Sequence, residues 1–550
     1  MNSKKLYGLL ALLLIASVVL TACQPSAGGD AGGEDAGGED AGADAGGEDA
    51  GGDAAAAGDG TVVIGTTDSI SSLDFADAYA IHDWELFRNV NVGLMTFEPG
   101  TATVVPGVAT GFEVSDDGLT YTFTLDSGWA YPDGTELVAG DFVRGITRAL
   151  TLEGDVSGLV VPYVESVEAP DDSTVVFQLD NPRGDFVQII TGAAYMPVPE
   201  GAYPDGELNK FPDTVFGVGP WQVTEYTVEE QLVLERNPNY KLGFADSAPE
   251  QVIIRYFQDA TQMALAVENG EIDVAWRILG PPEVQRLSGV EGLTAYNSGG
   301  GGIRYLVPNH IMDPFTSKEV RQAVAYLIDR DEIVDRVMQG TVDPLYSQVP
   351  SGFVGANEAF LDRYGAGPDV AAAEALLIEA GFDEAYPVEI QLWYPPEHYG
   401  THAAQIFQVL EEQLEATPLV SVTLQSQEWG TYVGALVGGE YPIGYLGWFF
   451  DYPDTSNYLD PFAQSEAAAS IGTNYASDEM DALLAAGGES TDEAERASIY
   501  DDAQNLYAED VVTIPLTIEP EYAVFNNASV SNIVIGPALY FQYELIELVQ

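Results

Sequence analysis

The chain has 550 residues, of which 87 are Asp or Glu and only 19 are Lys or Arg, a formal net charge of −68 at pH 7. So acidic a surface repels nucleic acid and anionic lipid head groups, both of which bind through basic patches, and it favours solubility and cationic ligands. With 46% hydrophobic and 11% aromatic residues, most of the chain is globular, and its length suits about two to four domains rather than one small core. One cysteine, Cys23, and four histidines, His82, His310, His398 and His402, exclude an internal disulfide and a cysteine-based metal site.

Lys4 and Lys5 precede the apolar run LYGLLALLLIASVVL (residues 6–20), and LTAC ends at Cys23. Basic, then apolar, then small residues form a secretory signal, and the run is short for a full membrane span. Residues 24–60 repeat AGGED and hold ten acids but no aromatic residue, Lys or Arg. Such a segment cannot bury enough apolar surface to fold. It reads as a flexible tether of 37 residues, spanning roughly 35 Å and more under self-repulsion. The body from residue 61 onward still carries 77 acids against 17 bases.

That body opens with TVVIGTT (61–67), a strand by its β-branched content. YTFTL (121–125), STVVFQL (173–179), QLVLE (231–235) and QVIIRYF (251–257) are further strands. GGGG at 299–302 supplies backbone freedom or a loop. A helix is expected from Thr316, with Glu319 at capping-box spacing and a packing stripe of Val320, Val324, Leu327 and Ile328. Between 387 and 425, PVEIQLWY, a helix with Ile406, Leu410 and Leu414 on one face, and LVSVTL form a strand–helix–strand unit. That order implies a parallel pair with a right-handed crossover, hence an α/β fold.

Few residues point to catalysis. His398 and His402 in HYGTH lack the Glu of an H-E-x-x-H zinc motif, and Pro395–Pro396 place them on a loop, so they read as a surface pair. There is no G-x-S-x-G elbow. A glycoside hydrolase needs only two carboxylates and survives on composition alone. Trp84, Trp129, Trp393, Trp429 and Trp448 offer sugar-stacking rings or core packing. The unusual stretch is GWFFDYPDTSNYLD (447–460), which sets Asp451 among aromatic side chains. Carboxylates are rarely buried unless paired. Asp451 either caps a turn before Pro453, a job open to Asp454 at a surface too, or waits for a cation that the protein does not supply.

Several stretches taken together resemble one family. LTAC resembles a bacterial lipobox, which implies cleavage before Cys23 and a lipid on its sulfur. TYTFTLDSGWAYPDGTELVAGDFVRGITRAL (120–150), VGPWQVTEY (218–226) with LERNPNY (234–240), NGEIDVAW (269–276), TSKEVRQAVAYLIDRDEIV (316–334) and GWFFDYPD (447–454) follow, in order, motifs of the extracellular solute-binding proteins of the peptide/nickel-binding family. Tyr131 stands where Phe is usual, Thr455 where Pro is common, and LVPNH (306–310) replaces a plainer run.

The resemblance implies a two-lobed periplasmic-binding-protein-like fold of class II type. A signal peptide would occupy 1–22, and the lipidated Cys23 and tether 23–60. Lobe I would take 61–95, 195–303 and 515–550, with an extra α/β domain inserted at 96–194, and lobe II 304–514. Ligand would bind in the cleft, and the lobes would close on it. The implied role is a monomeric, cofactor-free component of an ABC importer, lipid-anchored on the outer face of the cell membrane, which binds short peptides and delivers them to permease subunits with cytoplasmic ATPases. By position, Asp451 would receive the peptide α-ammonium. Trp448, Tyr452, Arg304 and Tyr305 are further candidate contacts, Arg304 for a ligand carboxylate. SISSLDF (69–75) and YFQDATQ (256–262) are expected near the cleft. Peptides with Lys or Arg should gain in on-rate from the negative field. An oligosaccharide ligand remains the alternative within the family.

Overall fold

A computed structural model describes residues 60–549 except 205, 278 and 401. The signal segment, Cys23 and all of the tether but Gly60 lie outside the described residues. The five strands expected from β-branched and aromatic runs form, as Thr61–Thr66, Thr120–Leu125, Thr174–Leu179, Gln231–Arg236 and Gln251–Tyr256. Val388–Tyr394 and Val420–Ser426 run parallel, with Val388 opposite Val420, and the helix Ala403–Leu414 between them buries Ile406, Leu410 and Leu414.

The helix expected from Thr316 differs in detail. Ser317, not Thr316, is its N-cap, accepting the Val320 N–H at 3.3 Å, and Glu319 takes a hydrogen bond from the Ser317 hydroxyl. The helix stops at Leu327, where Ile328 is extended, and Asp329 caps a second helix, Arg330–Arg336. The stripe Val320, Val324, Leu327 and Ile328 is buried as its spacing requires.

The strands build two sheets that matter for function. A four-stranded antiparallel sheet, Ala109–Val114, Thr120–Leu125, Thr174–Leu179 and Val164–Asp171, is covered by the helix Ala139–Thr151. Its core runs from Leu94 to Val218 and takes in Tyr452 from the other half of the molecule. Asp141 stabilises the start of that helix by accepting the Val138 N–H at 3.2 Å and the Tyr131 hydroxyl at 3.2 Å. The conspicuous motif around 131–141 is therefore structural.

The second sheet has eleven strands and is mixed. Leu293–Pro308 and Ile514–Asn526 lie adjacent at its middle, and they are its longest strands. At one end Ile514–Asn526 pairs with Val274–Trp276, and at the other Leu293–Pro308 pairs with Ile443–Trp448. These two strands join the lobes, one of which has a core made almost wholly of residues between Ile303 and Leu516. The four glycines lie inside this crossover, where the register shifts at Asn297, Gly300 and Gly302. Close approach explains three of them: a Cβ at Gly300 would stand 2.7 Å from Ile518, one at Gly301 2.5 Å from the Pro537 carbonyl oxygen and one at Gly302 2.6 Å from the Phe449 ring, whereas Gly299 has a left-handed φ of 78°.

A charged seam also joins the two halves. Arg183 and Asp185, beside the four-stranded sheet, form an ion pair, and Asp185 accepts the hydroxyl of Ser456 at 2.7 Å. Across the seam, Arg496 donates to Asp454 at 2.7 Å, and Asp460 stands 4.0 Å from Arg183. Three carboxylates thus face two guanidinium groups. Burial pushes the Asp460 carboxyl up to about 7, with Asp185 and Asp454 adding to the rise and Arg183 opposing it.

Candidate functional site

A cavity of about 780 Å³ lies between the lobes. One side is formed by Asp68, Tyr79, Arg277 and the start of the helix Pro281–Ser288. The other carries Arg304, Trp448 and the helix Trp429–Val437, while Glu519 and Glu521 of the crossover strand also reach it.

Asp451 sits just behind this wall, 9% exposed, in the turn between the strand Ile443–Trp448 and the helix Thr455–Ala463. Asn457, on the first turn of that helix, positions it. The Asn457 Oδ1 accepts both the Asp451 N–H at 3.0 Å and the Trp448 indole N–H at 3.1 Å, and its Nδ2 donates to Asp451 Oδ2 at 3.2 Å. From the opposite lobe, Tyr79 donates its hydroxyl to Asp451 Oδ1 at 2.7 Å. Tyr79 is on the cavity wall and 40% exposed, so its phenol stands between this acid and the cavity. Burial pushes the Asp451 carboxyl up to about 6, and the hydrogen bonds from Tyr79 and Asn457 oppose the rise. No ion pair to Asp451 occurs among the described residues. Asp454, by contrast, is the helix cap, accepting the Ser456 N–H at 2.9 Å.

The other expected contacts divide. Trp448 and Arg304 line the cavity. Arg304 is engaged by Glu519 at 3.0 Å and lies over the Tyr399 ring at 4.6 Å, so its charge is answered within the protein. Tyr305 touches the cavity but is fully buried, its ring edge-on to Phe462. Tyr452 faces away. It is 4% exposed, belongs to the core of the four-stranded domain and meets Tyr163 edge-on, so its placement is that of a packing residue rather than a ligand contact. The segments 69–75 and 256–262 contribute no side chain to the wall; Ser71 and Ser72 instead hold the buried Asp83.

Sequence reasoning missed Asp68, Tyr79, Arg277, Glu519 and, beside the Trp429 it did name, Val433, Val437 and Ile471. Arg277 carried one signal that only coordinates reveal: its φ of 67° is left-handed, uncommon for a residue with a side chain, and it brings the guanidinium to 2.8 Å from Asp68. His398 and His402 both border the cavity on a loop, as Pro395–Pro396 suggest, and His398 stacks on Trp429 at 3.6 Å. No group of three or more metal-ligating side chains occurs among the described residues. Nor is any described helix long and apolar enough to cross a membrane.

Known proteins share this architecture. Di/tripeptide-binding protein 4 of Pseudomonas aeruginosa is 30% identical over 477 residues, covering 81% of this chain and 86% of its own length. The dipeptide-binding protein of Escherichia coli is 26% identical over 443 residues, 75% of this chain and 80% of the relative. The probable deoxycholate-binding periplasmic protein YgiS of the same organism is 25% identical, over 76% of this chain and 81% of its own. Among solved structures, the substrate-binding protein CtaP of Listeria monocytogenes superposes with a TM-score of 0.79 at 24% identity, covering 89% of this chain and 99% of that one. The Helicobacter pylori protein DppA, in complex with the peptide STSA, gives 0.74 at 22% identity over 89% and 98%. The model described as bacterial extracellular solute-binding proteins, family 5 Middle, matches residues 103–470, and with it the two-lobed α/β fold and the cavity between the lobes agree: the chain belongs to the family 5 extracellular solute-binding proteins.

Proposed function

We propose that this protein captures short peptides outside the cytoplasmic membrane and hands them to an ABC permease, held to the membrane by a lipid on Cys23. The carrying observation is Asp451: a buried carboxylate beside the cavity whose hydrogen-bond donors, Tyr79 and Asn457, are neutral. A peptide α-ammonium completes this site, because a charge of opposite sign with directed hydrogen bonds offsets the carboxylate's desolvation. Peptide-binding relatives support the same reading. Residues 61–95, 195–303 and 515–550 act as lobe I, 96–194 as its inserted domain and 304–514 as lobe II, closing about the two crossover strands.

The test is calorimetric titration of protein stripped of ligand by unfolding and refolding, using di- and tripeptides and their N-acetylated forms. Free peptides bind and acetylated ones bind at least tenfold more weakly. Asp451→Asn, which keeps the side-chain shape, removes that difference. With a carboxyl titrating at about 6, peptide affinity falls about tenfold from pH 7.5 to pH 5, because only the ionised acid holds the ammonium. Unchanged affinity in Asp451→Asn would refute the ammonium role. Cys23→Ser should release the protein from the membrane fraction, and retention there would refute the lipid anchor.

An oligosaccharide reading has Trp429 and Trp448 on the cavity wall in its favour, whereas Trp84 and Trp129 are core residues and Trp393 is stacked against Tyr441. Binding of sugars and not peptides in the same titration would select it.

A further inference from the structure

The cavity wall is divided by chemistry. Its acids are answered from within the protein: Asp68 by Arg277 at 2.8 Å and Glu519 by Arg304 at 3.0 Å. Glu521 also lies in the field of both guanidinium groups. The remaining wall is mostly apolar, with Thr341, Ser470 and uncharged tyrosine and histidine rings among it. On lobe II it is formed by Trp429, Val433 and Val437, one helical face at a spacing of four, with Ile471 beside them. Leu279 and Val284 supply apolar surface from lobe I.

Gly434 opens this wall further. It is exposed, lies within the helix Trp429–Val437, and a Cβ placed there would meet nothing within 4 Å. Its conformation is ordinary helix, so turn geometry does not require a glycine; glycine in a helix interior costs stability relative to alanine. Here it leaves the space beside Val433 and Val437 unfilled. His398, stacked flat on Trp429, and His402 titrate below the ordinary histidine range and so bring no charge to this region near pH 7.

We propose that the wall of Trp429, Val433, Val437 and Ile471, opened at Gly434, is a side-chain subsite that selects peptides bearing a bulky uncharged apolar or aromatic residue and disfavours those bearing Lys or Arg. This rests on the peptide reading above. The net charge of −68 attracts cationic peptides from a distance, which raises on-rate. Equilibrium selection is set inside the cavity. There a lysine ammonium meets carboxylates already engaged by arginine and loses its hydration against an apolar surface. A phenylalanine or leucine side chain covers that surface and gains from its removal from water.

The test measures dissociation constants of the full protein for Ala-Phe and Phe-Ala, for the same dipeptides with Lys in place of Phe, and for Ala-Ala. In at least one position the Phe peptide binds tenfold or more tightly than both its Lys and its Ala counterparts. Gly434→Leu, which fills the opening on an exposed helix position, brings the Phe-to-Ala ratio close to one. Val433→Glu, which places an unpaired acid on the wall, shifts the Lys-to-Phe ratio at least tenfold towards Lys. Lys peptides binding as tightly as Phe peptides to the unaltered protein overturn the subsite, as do ratios unmoved in both variants. Absence of binding by every peptide overturns the peptide reading itself, and the selectivity with it.

Discussion

Arg496 is the seam residue whose loss has the clearest consequence. Its side chain is 5% exposed and that of its partner Asp454 1% exposed, with Nη2 and Oδ1 2.7 Å apart. Its Nε also donates to the Gly487 carbonyl at 3.0 Å. Arg496→Met keeps most of the apolar stem but leaves Asp454 buried and unpaired, close to Asp185 and Asp460. Breaking one side of a buried pair costs about 3–5 kcal/mol, and the abandoned Gly487 carbonyl adds about 1 kcal/mol.

The pairing with Asp454→Asn tests the reasoning. Asparagine still caps the helix by accepting the Ser456 N–H, but it carries no charge to repel its acidic neighbours. The double variant should therefore recover more than half of the loss, whereas a loss due only to packing would persist. Urea unfolding of ligand-free protein, read as the shift in midpoint multiplied by the slope, supplies the values. A single-variant loss below about 1 kcal/mol, or a double variant as unstable as the single one, would refute this account of the seam.

Three further outcomes follow from the same geometry. Gly302→Val puts a Cβ 2.6 Å from the Phe449 ring and should cost about 1–3 kcal/mol while weakening ligand binding, because the crossover strand can no longer lie against the cavity wall; unaltered binding and unfolding would show that the strand yields freely. Stability should fall as pH rises from 6.5 to 8, since burial holds Glu85, Asp460 and Glu544 at about 7 and Asp83 and Asp451 at about 6, well above unfolded carboxyls. Their stabilising protons are bound by the folded state alone and are lost through that window, while the histidines, held low in the folded state, oppose this most below their unfolded value of about 6.5 and progressively less above it; a melting temperature that is flat or rises towards pH 8 would contradict it. Raising salt from about 0.01 M to 0.15 M shortens the screening length from about 30 to 8 Å and should raise the melting temperature of so acidic a chain, and a fall would show that its paired charges outweigh the repulsion.

What could be read in advance was what depends on near neighbours. Strand alternation, the stripe at 320–328 and the strand–helix–strand at 388–426 follow from side-chain periodicity, and the structure has them. The cap at 316–319 was legible only in part, because two adjacent hydroxyl residues both precede a helix-forming run and the spacing to Glu319 favoured Thr316. The four glycines gave freedom without a reason for it. For Gly300, Gly301 and Gly302 the reason is contact with Ile518, Pro537 and Phe449, residues far along the chain that the crossover brings close, and for Gly299 it is a left-handed backbone. Tyr452 and Tyr79 show the same limit. Tyr452 stands next to Asp451 in sequence but faces another core, whereas Tyr79, 372 residues away from Asp451, makes the hydrogen bond.

Asp451 itself was legible because an acid among aromatic residues is anomalous wherever it falls. Its surroundings were not, and the scarcity of bases explains why they matter. With 17 bases from residue 61 onward, each buried arginine on the cavity or seam has one acid as its nearest partner: Arg277 has Asp68, Arg304 has Glu519, Arg183 has Asp185 and Arg496 has Asp454. Asp451 receives a phenol and an amide instead. An arginine there would satisfy the carboxylate permanently and close it to any ligand, since displacing a buried partner of opposite charge costs several kcal/mol. A neutral hydrogen bond contributes only about 0.5–1.5 kcal/mol net, or about 1.5–3 to a charged group. A ligand ammonium can therefore displace or join Tyr79 at modest cost. Burial raises the carboxyl to about 6, a rise that the two neutral donors oppose but do not cancel. An acid whose carboxyl burial raises to about 6, covered by a part-exposed phenol at the junction of two lobes, is held in the fold by neutral donors and gains most from a partner of opposite charge.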